Sequence, residues 1–354
     1  MTVTDVTHEA AAGRRRGGPV PTQRLRIAQV RWEAEEVVSV TVAAPDGEPL
    51  PAWSPGAHID LHLPVDDSTE PLIRSYSLCG DPAAGEWTVA VRLDAASRGG
   101  SRHVHERLRV GDMLTVVGPR QLFELEPAAE YVFVAGGIGI TPLLPMIEQA
   151  DAEGRPWRLV YAGSRRDSMP FRRRLHRHGD RIELYPSAER RVDLAALLTD
   201  LAPGTLVYCC GPERMLAAVS DAVAGTIAAE SLRTERFRPR EIVTVTTDAD
   251  GATTDTDHGA DTGAAVGGFE VELGTGGQVL PVPADTSLLD VLLGAGCDIM
   301  WSCREGTCGS CETGVLAGVP EHRDSVLTPD EQEANDVMFP CISRSRTSRL
   351  TLDL

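Results

Sequence analysis

Four cysteines late in the chain, Cys303, Cys308, Cys311 and Cys341, constrain the fold more than any other feature. Their spacing is C-x4-C-x2-C-x29-C. Three thiolates from one tight loop, with a fourth returning from elsewhere, form the ligand pattern of a plant-type [2Fe–2S] cluster. Gly306 and Gly309 lie between the first three ligands. There the backbone has to wrap closely and aim N–H groups at sulfur, which together with exposure tunes such a cluster. Zinc is the competing reading, but zinc sites usually pair cysteines at short spacing twice over. Cys297, six residues before the first ligand, reads as a small buried apolar residue, not a fifth ligand.

A cluster-binding segment accounts for only part of 354 residues, so two or three domains are expected. No apolar run approaches the roughly 20 residues that span a bilayer. Arg14, Arg15 and Arg16 are not followed by an apolar stretch, so neither a secretory nor a twin-arginine signal is expected. The expectation is a cytoplasmic protein with a floppy tail, in which eight cysteines are not a disulfide framework. Net charge is −18 and uneven: residues 1–240 hold 32 acids against 29 arginines, residues 241–354 hold 20 against 5. That balance argues against nucleic acid and anionic membrane as partners. It suits either a basic partner surface for the C-terminal third or plain solvation of a small domain and its linker.

Residues 24–125, after a tail over 1–23, read as short alternating strands broken by Gly and Pro. Arg24–Val30, Val37–Ala43, His58–Leu63, Trp87–Leu93 and Met113–Val117 are examples, and such spacing predicts an antiparallel barrel or sandwich. Residues 126–243 change character. Strand-like Tyr131–Val134, Arg158–Ala162, Arg181–Leu184 and Thr205–Cys209 alternate with helix-like segments such as Thr141–Gln149, which predicts a parallel α/β sheet. Residues 244–267 are Thr, Asp, Gly and Ala without periodicity and read as an acidic, flexible linker. A small domain over 268–354 carries the cysteines, with strands at Phe269–Leu273 and Leu350–Leu354 and a helix at Ser287–Leu293.

In the α/β segment, Ala135-Gly136-Gly137-Ile138-Gly139-Ile140-Thr141-Pro142 follows a strand and opens a helix. Glycines let a pyrophosphate approach the backbone, and the helix N-terminus supplies free N–H groups. Cys209-Cys210-Gly211-Pro212-Glu213-Arg214-Met215 stands at the end of a second strand, where ligands of open α/β sheets bind. Cys210 reads equally as a wall for a nicotinamide or as a core cysteine. The pattern departs from G-x-G-x-x-G, which disfavours an ordinary dehydrogenase domain. In the barrel segment, Arg74-Ser75-Tyr76-Ser77-Leu78 ends a strand, and alternating side chains there can give a flavin a cation, an aromatic wall and edge donors. Ser97-Arg98-Gly99-Gly100-Ser101 then opens a helix suited to a phosphate.

Taken in order, these motifs resemble the phthalate dioxygenase reductase family, which includes vanillate O-demethylase reductases, over roughly residues 24–354. The resemblance implies a multidomain α+β and α/β fold: an antiparallel Greek-key flavin-binding barrel, a parallel α/β nucleotide-binding domain and a C-terminal β-grasp ferredoxin domain. It implies FMN as flavin, with FAD the alternative used by related reductases. Arg74, Ser75, Tyr76 and Ser77 would line the flavin, with Arg92, Gly99, Gly100 and Ser101 towards its phosphate. Gly136, Gly137, Gly139, Thr141, Pro142, Cys210, Gly211 and Pro212 would hold the nicotinamide dinucleotide, and Phe237 would cover the flavin ring. Thr141, Cys210 and Ser77 are the candidates nearest the chemistry. Arg165 and Arg166 follow a strand where arginines could take a 2′-phosphate; the family leans to NADH, and NADPH stays open.

The expected activity is that of an NADH-dependent oxidoreductase. Electrons would pass from NADH to FMN, then to the [2Fe–2S] cluster and out to a terminal oxygenase, as the reductase component of that system. A Rieske-type dioxygenase or O-demethylase is the first expected partner, a cytochrome P450 the second. Direct reduction of small acceptors such as quinones is the rival from another class. One chain holding all three centres is expected to work as a monomer.

Overall fold

A computed structural model describes residues 20–64, 71–95, 97, 99–199, 201–224, 229–237 and 268–354. The expected linker over 244–267, most of the tail over 1–23, and Arg98 lie outside them. Among the described residues, three sheets of five or six strands and one two-stranded ribbon organise the fold; the first and third of these sheets have cores of their own, while the core on one face of the second also takes in Ala34, Val37, Cys79 and Ala90 of the first.

The first sheet holds β1 (Thr22–Ala34), β2 (Val37–Ala43), β3 (Ala57–Leu63), β4 (Leu72–Ser77), β5 (Trp87–Arg92) and β6 (Met113–Gln121), in the order β4-β3-β6-β1-β2-β5, all antiparallel. An isolated bridge between Leu78 and Val89 brings the two edges together and closes the sheet towards a barrel. Side chains alternate across it as strand geometry requires. On β3, Ile59, Leu61 and Leu63 enter the core with Leu25, Val40, Trp87 and Val116, while His58 and Asp60 point outwards. Helix α1 (Gly100–Glu106) contributes Val104 to this core.

The second sheet is parallel throughout, ordered β11-β10-β7-β8-β9: β7 (Glu130–Gly136), β8 (Trp157–Gly163), β9 (Ile182–Pro186), β10 (Thr205–Cys210) and β11 (Leu232–Glu235). Both faces are covered, as a parallel sheet needs. Helix α2 (Ile140–Ala152) packs on one face with Phe133, Tyr161 and Tyr208. Helices α4 (Leu194–Leu198) and α5 (Glu213–Val223) pack on the other with Val132, Val160 and Val207. The short α3 (Arg172–Leu175) inserts Leu175 into the α2 side. The order reverses at β7, so the loops after β7 and β10 face one crevice, the usual ligand position in such sheets.

The third sheet is ordered β13-β12-β18-β14-β16: β12 (Phe269–Leu273), β13 (Val279–Val282), β14 (Thr313–Ala317), β16 (Val337–Met338) and β18 (Arg349–Leu352). A separate ribbon pairs β15 (Pro320–Glu321) with β17 (Arg344–Ser345). Strands β12 and β18 run parallel and their neighbours antiparallel, with α6 (Leu288–Gly294) packed across them through Leu288, Leu289 and Leu292. Ser287 caps α6 by accepting the Asp290 N–H at 3.0 Å. Thr328 and Glu331 form a capping box at α7 (Pro329–Ala334).

No helix among the described residues is long and apolar enough to cross a membrane.

Candidate functional site

The barrel, the nucleotide sheet and the cysteine loop all meet at strand β4. Arg74 and Tyr76 are cross-strand partners of Leu61 and Ile59, so they share the inner face; Ser75 and Ser77 pair with Asp60 and His58 on the outer one. Tyr76 packs against the barrel core, and burial pushes its phenol well above the ordinary value. Arg74 lies over the start of α1, where a Cβ on Gly100 would come 2.8 Å from Arg74 Cγ. Only glycine lets that side chain lie so close to the helix end. Gly99 precedes it at φ 97°, and Ser101 Oγ donates to Ser97 Oγ at 3.0 Å and accepts the Asp94 N–H at 3.1 Å. Arg92 ends β5 and is exposed. Ser75 is turned away from Arg74 and Tyr76 and donates to Asp60 Oδ1 at 2.5 Å. In the ladders among the described residues β4 pairs only with β3, and its other edge presents backbone N–H and C=O groups. An aromatic wall, a cation and a polar backbone edge fit a flavin.

The two crevice loops of the nucleotide sheet are pressed together. A Cβ on Gly139 would lie 2.2 Å from the Cys210 carbonyl oxygen, and one on Gly136 would lie 2.5 Å from Pro212 Cδ and 3.1 Å from Gly211 Cα. These glycines are therefore required by loop-on-loop packing. Gly137 is different: it has φ +55° and nothing within 4 Å of its Cβ direction. That open approach lies beside the start of α2, whose N-cap, Gly139, has no side-chain cap. The Ile140 N–H, first of α2, already donates to the Gly137 carbonyl, so it is the glycine turn over Gly137–Gly139, under open space, that fits a pyrophosphate. Thr141 is buried and donates to the Ile138 carbonyl at 3.0 Å, and Pro142 is buried beside it.

Glu235 was not singled out by sequence reasoning, although it stands in the Thr234-Glu235-Arg236-Phe237 run. At the end of β11 its Oε2 accepts from Ser77 Oγ at 3.3 Å and lies 3.9 Å from Cys210 Sγ. Burial pushes its carboxyl up to about 8. Cys210 is fully buried, and burial followed by the nearby Glu235 charge raises its thiol far above the usual range. Two of the three residues placed nearest the chemistry, Ser77 and Cys210, thus converge on one carboxyl from β11. Phe237, two residues further, is 40% exposed.

Arg165 and Arg166 are both engaged: Arg165 pairs with Glu35 of the barrel, and Arg166 Nε sits 2.9 Å from Glu189 Oε1. Their charges are matched within the chain, which sequence spacing had not revealed.

The four cysteines converge. All are buried, and the Cys303 sulfur is in hydrogen-bond contact with those of Cys308 and Cys341, while Cys341 also meets Cys311. Backbone N–H groups of Glu305 and Thr307 donate to Cys303 Sγ at 3.3 and 3.5 Å, and that of Cys303 to Cys308 Sγ at 3.4 Å. Ser310 Oγ lies 3.2 Å from Cys308 Sγ. Hydrogen bonds from Cys308, Cys341 and Thr307 hold the Cys303 thiol far below its ordinary value. Gly306 and Gly309 have φ of +66° and +70°, the left-handed turns that let the loop wrap. Among the described residues no group of His, Cys, Asp or Glu is spaced for a lone metal ion. A thiolate-only set ringed by N–H donors fits an iron–sulfur cluster. Cys297 is partly exposed, not buried: it follows the end of α6 and packs against the rim of the third core.

Comparison with known proteins agrees with this geometry. The family model for the 2Fe-2S iron-sulfur cluster binding domain matches residues 271–346. The chain is 39% identical over 334 residues to the phenoxybenzoate dioxygenase subunit beta of Ectopseudomonas oleovorans, covering 93% of this chain and 97% of that protein. Among solved structures it is similar to phthalate dioxygenase reductase, described as a modular structure for electron transfer from pyridine nucleotides to [2Fe–2S] (31% identity, TM-score 0.65, 94% of this chain and 98% of that one). It is also similar to an intact type IV self-sufficient cytochrome P450 monooxygenase (40% identity, TM-score 0.78, 94% of this chain, 41% of that one). Fold and site together define an iron–sulfur flavoprotein reductase, an oxidoreductase with flavin, pyridine-nucleotide and [2Fe–2S] parts. The chain belongs to the phthalate dioxygenase reductase family of oxygenase reductase components.

Proposed function

We propose that this reductase oxidises NADH through FMN and its [2Fe–2S] cluster to supply a Rieske-type oxygenase with single electrons. The carrying observation is β4, whose Ser77 meets the nucleotide sheet and whose Arg74 meets the cysteine loop at Glu305. A flavin held there would supply the conversion between a two-electron donor and a one-electron acceptor. The protein's share is placement. Arg74, Tyr76 and the free edge of β4 seat the ring. Arg92, Gly99, Gly100 and Ser101 lie towards its phosphate, and Phe237 covers its face. The 136–142 and 210–212 loops hold the dinucleotide, with Thr141 and Cys210 walling the nicotinamide. Glu235, neutral below about pH 8, hydrogen-bonds Ser77 and keeps charge out of a pocket that must exclude water.

The engagement of Arg165 by Glu35 and Arg166 by Glu189 supports NADH over NADPH, since a 2′-phosphate would meet neutralised arginines and added carboxylates. The acidic C-terminal third supports docking on a basic partner surface, by a single chain in the cytoplasm. A cytochrome P450 as acceptor is the second reading, favoured by the 40% identity to a P450 fusion.

Anaerobic titration with NADH, followed by visible absorbance and low-temperature EPR with the released flavin weighed, tests the reading. A [2Fe–2S] signal rising as the flavin bleaches, and FMN in the supernatant, supports it. Flavin bleaching with no cluster signal overturns it in favour of small acceptors. Turnover with purified oxygenase components of each type separates Rieske from P450.

A further inference from the structure

An outward-facing residue on a barrel strand should be wet, yet Asp60 is completely buried. Its cover is the cysteine loop. Ser302 Oγ donates to Asp60 Oδ2 at 2.6 Å across 242 residues of chain, and Arg120 of β6 pairs with the same oxygen. Ser75 holds the other oxygen at 2.5 Å. Ser302 and Arg120 are themselves 5% and 8% exposed. Two further contacts bring the same loop down on the barrel: Glu305 lies 4.0 Å from Arg74 Nη1, and Gly309, where a Cβ would come 3.1 Å from Leu122 Cδ1, rests on that side chain.

A buried ion pair is a poor way to gain stability, because apolar residues of the same volume would hold the two surfaces together at least as well. What it does supply is one orientation. A carboxylate has few acceptor directions, and here each oxygen already serves a named donor. Slippage of the loop would leave a buried charge short of a partner, which costs more than the hydrogen bond itself.

We propose that Asp60 is a positioning residue that clamps the cysteine loop onto the flavin strand, with Ser302 as its catch. The clamp rests on the flavin-to-cluster reading above. It joins the neighbour of ligand Cys303 to the neighbour of Arg74 and Tyr76 through one side chain. Its role is to fix the separation of the two centres while leaving the hydride step alone.

The test uses the full-length holoprotein, with Ser302→Ala, the conservative Ser302→Thr, and the double change Asp60→Leu with Arg120→Met, which removes both charges without touching a neighbour of a ligand. Hydrogen exchange by mass spectrometry is read over residues 57–63 and 300–311. Cluster potential is measured by EPR titration, and stopped-flow absorbance follows flavin and cluster separately after NADH is added. For Ser302→Ala we expect exchange to rise in both segments together, and flavin bleaching to stay within about twofold. Cluster reduction should slow about tenfold or more, the shift in docked population that one hydrogen bond to a charged acceptor commands. The potential should not move, Ser302→Thr should restore the rate, and the double variant should match Ser302→Ala. Unchanged exchange and rate in Ser302→Ala and the double variant would overturn the clamp. So would slowing accompanied by a shifted potential, which would make Ser302 a tuner of the cluster. If NADH fails to reduce the cluster in the unaltered protein, the flavin-to-cluster reading falls, and the paired exchange still decides whether the clamp exists.

Discussion

Ser77 and Glu235 stand 158 residues apart and meet at 3.3 Å, hydroxyl to carboxyl, across the boundary between the barrel and the nucleotide sheet. Glu235 has its carboxyl pushed up to about 8 by burial, above an unfolded value near 4.5. The folded state therefore binds a proton that the unfolded state releases between those values. The stabilisation is complete below about pH 4.5 and lost as pH rises through about 8. Between pH 5.5 and 8.5 the protein should lose on the order of 1 kcal/mol of stability per pH unit from this group at most, less for its partial exposure. Glu235→Gln should flatten the slope, and urea unfolding at the two pH values reads it. An equal slope in both proteins would place the titrating group elsewhere.

Gly139→Ala puts a Cβ 2.2 Å from the Cys210 carbonyl, backbone against side chain with no flexible end to yield. The two crevice loops must part. Thermal unfolding should show a loss of about 1–3 kcal/mol, the range for overpacking, and the KM for NADH should rise. Gly137→Ala, in open space but at φ +55°, should cost only about 1–2 kcal/mol of backbone strain.

Cys308→Ser exchanges a buried thiolate ligand for a hydroxyl. The EPR signal of the cluster and oxygenase-coupled turnover should disappear, while NADH-to-ferricyanide activity survives through the flavin. Loss of both activities would show that the cluster loop supports the flavin site itself.

Glu189→Ala frees Arg166, at present bound through Nε and Nη2. The ratio of kcat/KM for NADPH over NADH should rise about tenfold, the worth of one charge-assisted contact to a phosphate. A ratio that does not move would show that Arg166 does not face the adenosine ribose.

The legible parts of this molecule were those with local signatures. Three of the cluster cysteines and both crevice loops stand in short runs of sequence, and the strand Phe269–Leu273 alternates apolar with charged residues. The rest depended on partners far along the chain. Glu235 sits on Leu232–Glu235, a strand of four residues with two charges, and looks like a solvated turn until Ser77 and Cys210 arrive. Arg165 and Arg166 read as phosphate takers because Glu35 and Glu189 are distant in sequence. Asp60 and Ser302 carried no signal at all, since a polar residue every second position on a barrel strand is what water would select. Strands β15, β16 and β17 have two residues each, too few for a period to show.

Strand β18 lies at the middle of its sheet, paired with β12 on one side and β14 on the other. During synthesis the strands of the barrel and of the nucleotide sheet are all made by Glu235, more than a hundred residues before Arg349 leaves the ribosome. The cysteines of the loop are also made before the strand that completes the sheet beneath them. The sheet beneath the cysteine loop is thus the last of the three to receive all its strands.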